Sequence, residues 1–77
     1  MAKISHWRII CRNDFLDEIH DHVLFDGTLV EAQNRASEIW NERYGHMADR
    51  GNSIHVIDAG GETVFSIFDY ADDEVQP

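Results

Sequence analysis

Histidine spacing is the feature of this sequence that comes closest to a metal-binding pattern. His20 and His22 lie two apart in a predicted strand and therefore share one face, which His6 and His55 from other predicted strands could join. Imidazole binds zinc and nickel well, and three such ligands can form an open site. No HExxH pattern and no cysteine pair accompanies them. We therefore expect solvated histidines without a metal or cofactor, which can make binding depend on pH near neutrality.

Strand alternation argues against a catalytic group among the same residues. Asp21 lies between His20 and His22, but in a strand it faces the opposite way and cannot orient either ring. Cys11 is the single cysteine, and its predicted strand directs it into the core, where a thiol packs without reacting. A single cysteine also excludes an internal disulfide and fits a reducing cytoplasm. We predict that the chain is not an enzyme.

Carboxylates outnumber basic side chains by fifteen to six, which gives a formal net charge of −9. Such a charge steers a protein towards basic surfaces, although acidity can also serve solvation alone. Duplex DNA carries one charge per roughly 1.7 Å of axis, so carboxylates at comparable density can occupy a basic DNA-binding groove. The candidate partner-binding residues are Asp14, Asp17, Glu18 and Asp21 at the first predicted hairpin, and Asp69, Tyr70, Asp72, Asp73 and Glu74 after the last predicted strand.

One helix is predicted, over residues 28–44. Its apolar residues form a single stripe with a period of 3.6 residues. Thr28 and Glu31 make a capping box at its start, and Gly45 can close the last turn in a left-handed conformation. A helix of this length is not stable alone, so it requires a sheet to cover. The stripe comprises Leu29, Ala32, Ala36, Ile39, Trp40 and Tyr44.

Strands are predicted at residues 4–11, 17–25, 53–58 and 63–68. This order gives an α+β fold, a four-stranded antiparallel or mixed sheet with one helix packed on one face (ββαββ). A right-handed crossover predicts the spatial order 2-1-4-3, and the last strand, apolar on both faces, suits a central position. The uncovered face would then carry His6, Arg8, Ile10, His20, His22, Leu24, His55 and Ile57.

The length of 77 residues predicts a single domain over residues 1–77, ordered at about 4–68 and followed by an acidic C-terminal tail at 69–77. No apolar stretch approaches the roughly 20 residues of a membrane helix, and no signal peptide is predicted. The expected location is the cytoplasm. The sequence does not fix whether the chain is a monomer or a dimer.

Two stretches, GTLVEAQNRASEIW and SIHVIDAGGETVFSIF, give the chain a family resemblance. With its size, acidity and single cysteine, it resembles small phage-encoded anti-CRISPR proteins, the inhibitors of type I CRISPR effector complexes. The resemblance covers residues 4–68 as a pattern and carries over no functional residue. It implies a non-catalytic, stoichiometric inhibitor that acts as a DNA mimic in the host cytoplasm. The outline also resembles small bacterial domains built from two hairpins and a helix.

Three functional alternatives remain at this point. The first is an inhibitor that presents its carboxylates to the basic surface where an effector complex binds target DNA, with Tyr70 as the aromatic anchor. The second is an adaptor or dimerisation domain that binds through the uncovered sheet face, where Ile10, Leu24 and Ile57 would matter. The third, and least favoured, is a histidine-ligated metal protein.

Overall fold

The computed structural model describes residues 4–45 and 51–69 and has the predicted α+β class. Four strands form one antiparallel sheet in the order β2-β1-β3-β4, and the single helix contacts all four strands. No helix in these two ranges is long and apolar enough to cross a bilayer. The elements are β1 (Ser5–Asn13), β2 (Glu18–Gly27), α1 (Leu29–Arg43), β3 (Asn52–Ile57) and β4 (Thr63–Phe68).

The predicted order 2-1-4-3, with the first and fourth strands central and parallel, is wrong. β1 pairs with β3 instead, and every pairing is antiparallel. β3 takes the inner position between β1 and β4 and is the more buried of the last two strands, so that even its polar Asn52 and Ser53 are fully buried. β4 lies at the edge with Val64 and Phe68 exposed. Its apolar residues on both faces therefore reflect one covered face and one open face.

The start of α1 confirms the predicted capping box. The Thr28 hydroxyl accepts a hydrogen bond from the Glu31 backbone N–H at 3.2 Å, and the Glu31 carboxylate accepts one from the Thr28 N–H at 2.8 Å. The end differs from the prediction. Tyr44 is the C-cap and keeps a right-handed conformation, and Gly45 is not among the glycines with positive φ. The N–H groups of Tyr44 and Gly45 both donate to the Trp40 carbonyl instead.

The core lies between α1 and one face of β1 and β3. Small residues on the helix allow it to approach the sheet closely, because Ala32 and Ala36 are fully buried against it. Cys11 is also fully buried, as predicted. The buried apolar residues are Trp7, Ile9, Cys11, Ala32, Ala36, Ile39, Tyr44, Ile54 and Val56.

Candidate functional site

The surface of the sheet opposite α1 is the candidate site, and we call it the open sheet face. Its side chains follow from strand alternation together with the observed registers. Leu24 is 76% exposed, Ile19 is 66% exposed and Phe68 is 43% exposed, and all three are on this face. The exposed or half-buried residues of the open sheet face are His6, Arg8, Ile10, Arg12, Ile19, His22, Leu24, Asp26, His55, Ile57, Thr63, Ser66 and Phe68.

A β-bulge in the first hairpin changes which residues reach this face. The register shifts between Cys11 and Arg12, which pair with Asp21 and Ile19, so His20 has no partner across the strand. Ile19 therefore lies on the open sheet face, although it was not among the residues predicted there. His20 turns to the helix side, where its Nδ1 is 3.3 Å from the Tyr44 hydroxyl. The prediction that His20 and His22 share a face is wrong.

The other histidines that the structure describes, His6, His22 and His55, do not converge either. His22 and His55 both pair with Ile10 from opposite sides, so two strand spacings of about 4.8 Å separate them. The Nδ1 of His6 lies 2.6 Å from an Asp26 carboxylate oxygen at the corner of the sheet. Among the described residues, no three His, Cys, Asp or Glu side chains come together in a group that could hold a metal ion.

The carboxylates predicted at the first hairpin are engaged within the chain. The Arg12 guanidinium pairs with Asp14 and with Asp17, the latter at 2.7 Å, and the Asp14 side chain is only 15% exposed. Asp21 pairs with Arg43 of α1 at 2.7 Å. Among the predicted hairpin acids, Asp17 is the most exposed, at 89%. Intramolecular ion pairs therefore neutralise part of the predicted acidic surface.

Glu18 and Asp69 complete the described part of the predicted site. The Glu18 side chain is 63% exposed and lies 3.9 Å from the His20 Nε2. Asp69 accepts a hydrogen bond from the Gly51 N–H at 2.8 Å, and the Gly51 carbonyl accepts one from Asp14 at 2.7 Å. Gly51 thus places the end of β4 beside the first hairpin. The other predicted residues, Tyr70, Asp72, Asp73 and Glu74, lie outside the described residues.

Two depressions lie along β1 on the open sheet face. The larger, of about 360 Å³, is formed around Arg8 and Leu24, with Asp26 and Asp58 at its rim. The other, of about 270 Å³, is lined by Ile10, Ile19 and Ile57 together with three polar residues. The larger depression lies at the His6 end of β1 and the smaller one at the Arg12 end. Both depressions offer apolar contact surface, and each has one arginine in its lining, Arg8 in the larger and Arg12 in the smaller.

Comparison with known proteins does not assign this site. No protein-family model, no curated protein and no solved structure matches the chain. The anti-CRISPR resemblance therefore stays a prediction from sequence pattern. The function of the open sheet face has to be inferred from its own side chains.

His55 is the half-buried titratable group of this face. Its Nε2 lies 3.0 Å from the Ser53 hydroxyl oxygen, and its Nδ1 lies 2.8 Å from that of Ser66. Burial lowers the pKa of His55 from its ordinary value of 6.5, while the Asp14 carboxylate raises it and the Arg12 charge lowers it. The imidazole is therefore held neutral between two hydroxyl groups at neutral pH.

We expect this histidine to make stability depend on pH. As pH falls below 6.5, the unfolded chain takes up a proton at His55 that the folded chain does not, so the free energy of unfolding decreases. Above that pH both states are neutral there and the contribution is constant. Urea unfolding of the parent and of His55→Gln, between about pH 5 and pH 7.5, measures this. An equal decline in both proteins would contradict the assignment to His55.

Two buried side chains with weakly acidic protons, Cys11 and Tyr44, lie on the helix side of the sheet. Burial raises the pKa of the Cys11 thiol, and the Arg43 charge offsets part of that increase. Burial likewise raises the pKa of the Tyr44 hydroxyl. Both groups are protonated at neutral pH, and Cys11 is fully buried, so the thiol packs as part of the core and offers no nucleophile at the surface.

Proposed function

We propose that the chain is a non-enzymatic domain that binds another protein through the open sheet face. One observation carries this proposal: four large aliphatic side chains collect on a surface that nothing in the described residues covers. Large contiguous apolar patches on a small acidic protein mark interaction sites, because leaving them in water costs free energy that a partner recovers. The four side chains are Ile10, Ile19, Leu24 and Ile57.

The contacts of the carboxylates also favour the open sheet face over the acidic hairpin as the binding surface. A DNA-mimicking surface requires acids whose charge is free to meet the Arg and Lys of a partner. Asp14 and Asp21 already have cationic partners within the chain, and Asp69 holds the Gly51 backbone. Recruiting these acids to a partner would break internal contacts and offset the gain.

A stoichiometric inhibitor that mimics DNA is the second candidate. It is favoured by the exposure of Asp17, at 89%, and of Glu18, at 63%, at the hairpin end where Asp69 also lies. In this proposal the hairpin end docks on the basic surface where a type I CRISPR effector complex binds target DNA. Binding would then be electrostatic and would weaken as salt rises.

Two matched double variants separate these candidates. Leu24→Ser with Ile57→Ser alters the open sheet face, and Asp17→Asn with Glu18→Lys alters the hairpin end. Leu24, Asp17 and Glu18 are exposed, and Ile57 is half-buried outside the core cluster. Asn tolerates the φ of 53° at Asp17, so we expect each variant to fold, which circular dichroism checks. The assay is affinity capture from a lysate of the cells that carry the gene, with and without competing duplex DNA.

We expect the parent and the hairpin variant to capture the same protein. The face variant should bind that protein with an affinity at least about tenfold lower. Duplex DNA should not compete. Loss of capture in the hairpin variant alone, together with competition by DNA, would favour the inhibitor and contradict our proposal. If both variants capture as well as the parent, neither surface is the binding site.

A further inference from the structure

Charge on the open sheet face points to the chemistry of its partner. Building on the proposed function, we infer that the face binds a protein segment that combines apolar side chains with carboxylates. Such a segment would place a carboxylate at Arg8 and aliphatic groups in the depression over Ile10 and Ile57. This inference depends on three observations: the position of Arg8, the distribution of charge over the fold and the shape of the face.

The open sheet face differs in charge from the rest of the molecule. Among the described residues it carries two arginines, Arg8 and Arg12, and two carboxylates, Asp26 and, at the rim of the larger depression, Asp58, so its formal charge is 0 with neutral histidines. The whole chain has a formal net charge of −9. The Asp26 carboxylate is already engaged, because one of its oxygens lies 2.6 Å from the His6 Nδ1. Most of the described carboxylates therefore lie outside this face and those on it are engaged within the chain, so Arg8 is able to meet a carboxylate of a partner.

Arg8 is the cation available to such a partner. It is exposed and has no hydrogen bond or ion pair with the residues that the structure describes, whereas Arg12 is engaged by Asp14 and Asp17. Arg8 lies between Leu24 and Ile57, its cross-strand neighbours. A carboxylate docked there would form charge-assisted hydrogen bonds beside apolar contacts, and the exclusion of water strengthens such bonds.

The carboxylates at the rim of the larger depression are already engaged. His6 holds Asp26, and the Asp58 carboxylate accepts the N–H groups of Gly60 and Glu62, each at 2.9 Å. They fix the β3–β4 turn and the corner of the sheet, and so leave the Arg8 guanidinium to an incoming group.

Other occupants fit the charge pattern less well. A second copy packed face to face offers Arg8 no described carboxylate of this face that is not already engaged by His6 or by the β3–β4 turn. A nucleic acid is a polyanion and would meet the field of a chain with a net charge of −9. A protein segment with one or two carboxylates avoids most of this repulsion, because charges beyond about 8 Å are screened at physiological salt.

Two labelled peptides of twelve residues test the inference on the full chain by fluorescence anisotropy. Leucine alternates with serine in both peptides, and two of the serines are replaced by aspartate in one peptide and by lysine in the other. We expect the aspartate peptide to bind at least about tenfold more tightly, as charged hydrogen bonds allow. Arg8→Gln should remove most of that difference and Arg8→Glu should reverse it. Arg35→Gln, which removes an arginine from α1, is the matched control and should change nothing.

The outcomes separate this inference from the proposed function. If both peptides bind equally, Arg8→Gln has no effect and Leu24→Ser weakens both, the face binds apolar partners without a charge preference and only the inference is overturned. If Leu24→Ser has no effect, the peptides bind elsewhere and the proposed function fails as well. Absence of binding up to about 1 mM, or self-association of the chain by light scattering, also contradicts the inference.

Discussion

Replacing Ile54 by alanine is expected to lower the free energy of unfolding by about 2–5 kcal/mol. Ile54 is fully buried at the centre of the core, so the truncation removes apolar contacts and leaves a cavity. A domain of this length has a total stability of about 4–12 kcal/mol, so a large part of the folding free energy would be lost. Urea unfolding followed by circular dichroism measures the change.

The matched control is Leu24→Ala, a truncation of similar size on the open sheet face. Leu24 is 76% exposed, so its loss should change the free energy of unfolding by less than about 0.5 kcal/mol. A similar loss in both variants would mean that the two faces of the sheet are wrongly assigned, since an exposed side chain leaves no cavity.

Replacing Gly51 by alanine is expected to cost about 2–4 kcal/mol, which combines backbone strain with overpacking. Gly51 has a φ of +95°, a conformation that residues with a side chain rarely adopt. A Cβ there would lie 2.6 Å from the Phe15 ring, and the Gly51 backbone bonds Asp14 and Asp69 on either side. The variant therefore cannot relax without breaking the junction between the first hairpin and β4, and thermal unfolding should show the loss.

Gly60→Ala is the control for this substitution. The Gly60 backbone is outside the positive-φ region, and the nearest atom to its Cβ would be 3.4 Å away. We expect almost no change. Adding Phe15→Ala to Gly51→Ala should recover the part of the loss that comes from the clash and leave the part that comes from φ. Equal losses at Gly51 and Gly60 would contradict this explanation.

Local patterns in the sequence predicted the helix, its cap and most strand boundaries. Thr28 and Glu31 are three residues apart, and their reciprocal hydrogen bonds depend on that spacing alone. The predicted range 63–68 of the last strand is that of β4. The core face of β1 also followed from alternation, because this strand keeps one register along β3.

The strand order could not be obtained in the same way, because it depends on pairings between distant segments. β3 and β4 are both strands of six residues, and the pairing of β3 with β1 is what buries β3, including its polar Asn52 and Ser53. The bulge is also a property of the pair of strands. Its one signal in the sequence was Asp21, which broke the apolar alternation between Ile19 and Val23 and marked the shift in register.

The candidate site was predicted only in part. Ile10, Leu24 and Ile57 were expected on the uncovered face and lie there. Ile19 and Phe68 were missed, because the bulge moves the first and the edge position of β4 exposes the second. The ion pairs of the predicted acids were missed as well. The pair between Asp21 and Arg43 joins residues 22 apart, and composition carries no information about it.

The methyl spectrum of the full chain during titration with the aspartate–leucine peptide tests the central claim most directly. If the open sheet face is the binding surface, the methyl signals of Ile10, Leu24 and Ile57 should shift together and saturate. Those of Leu29 and Val30, which are exposed on α1, should stay in place. Shifts confined to the helix methyls, with the face unchanged, would contradict the claim.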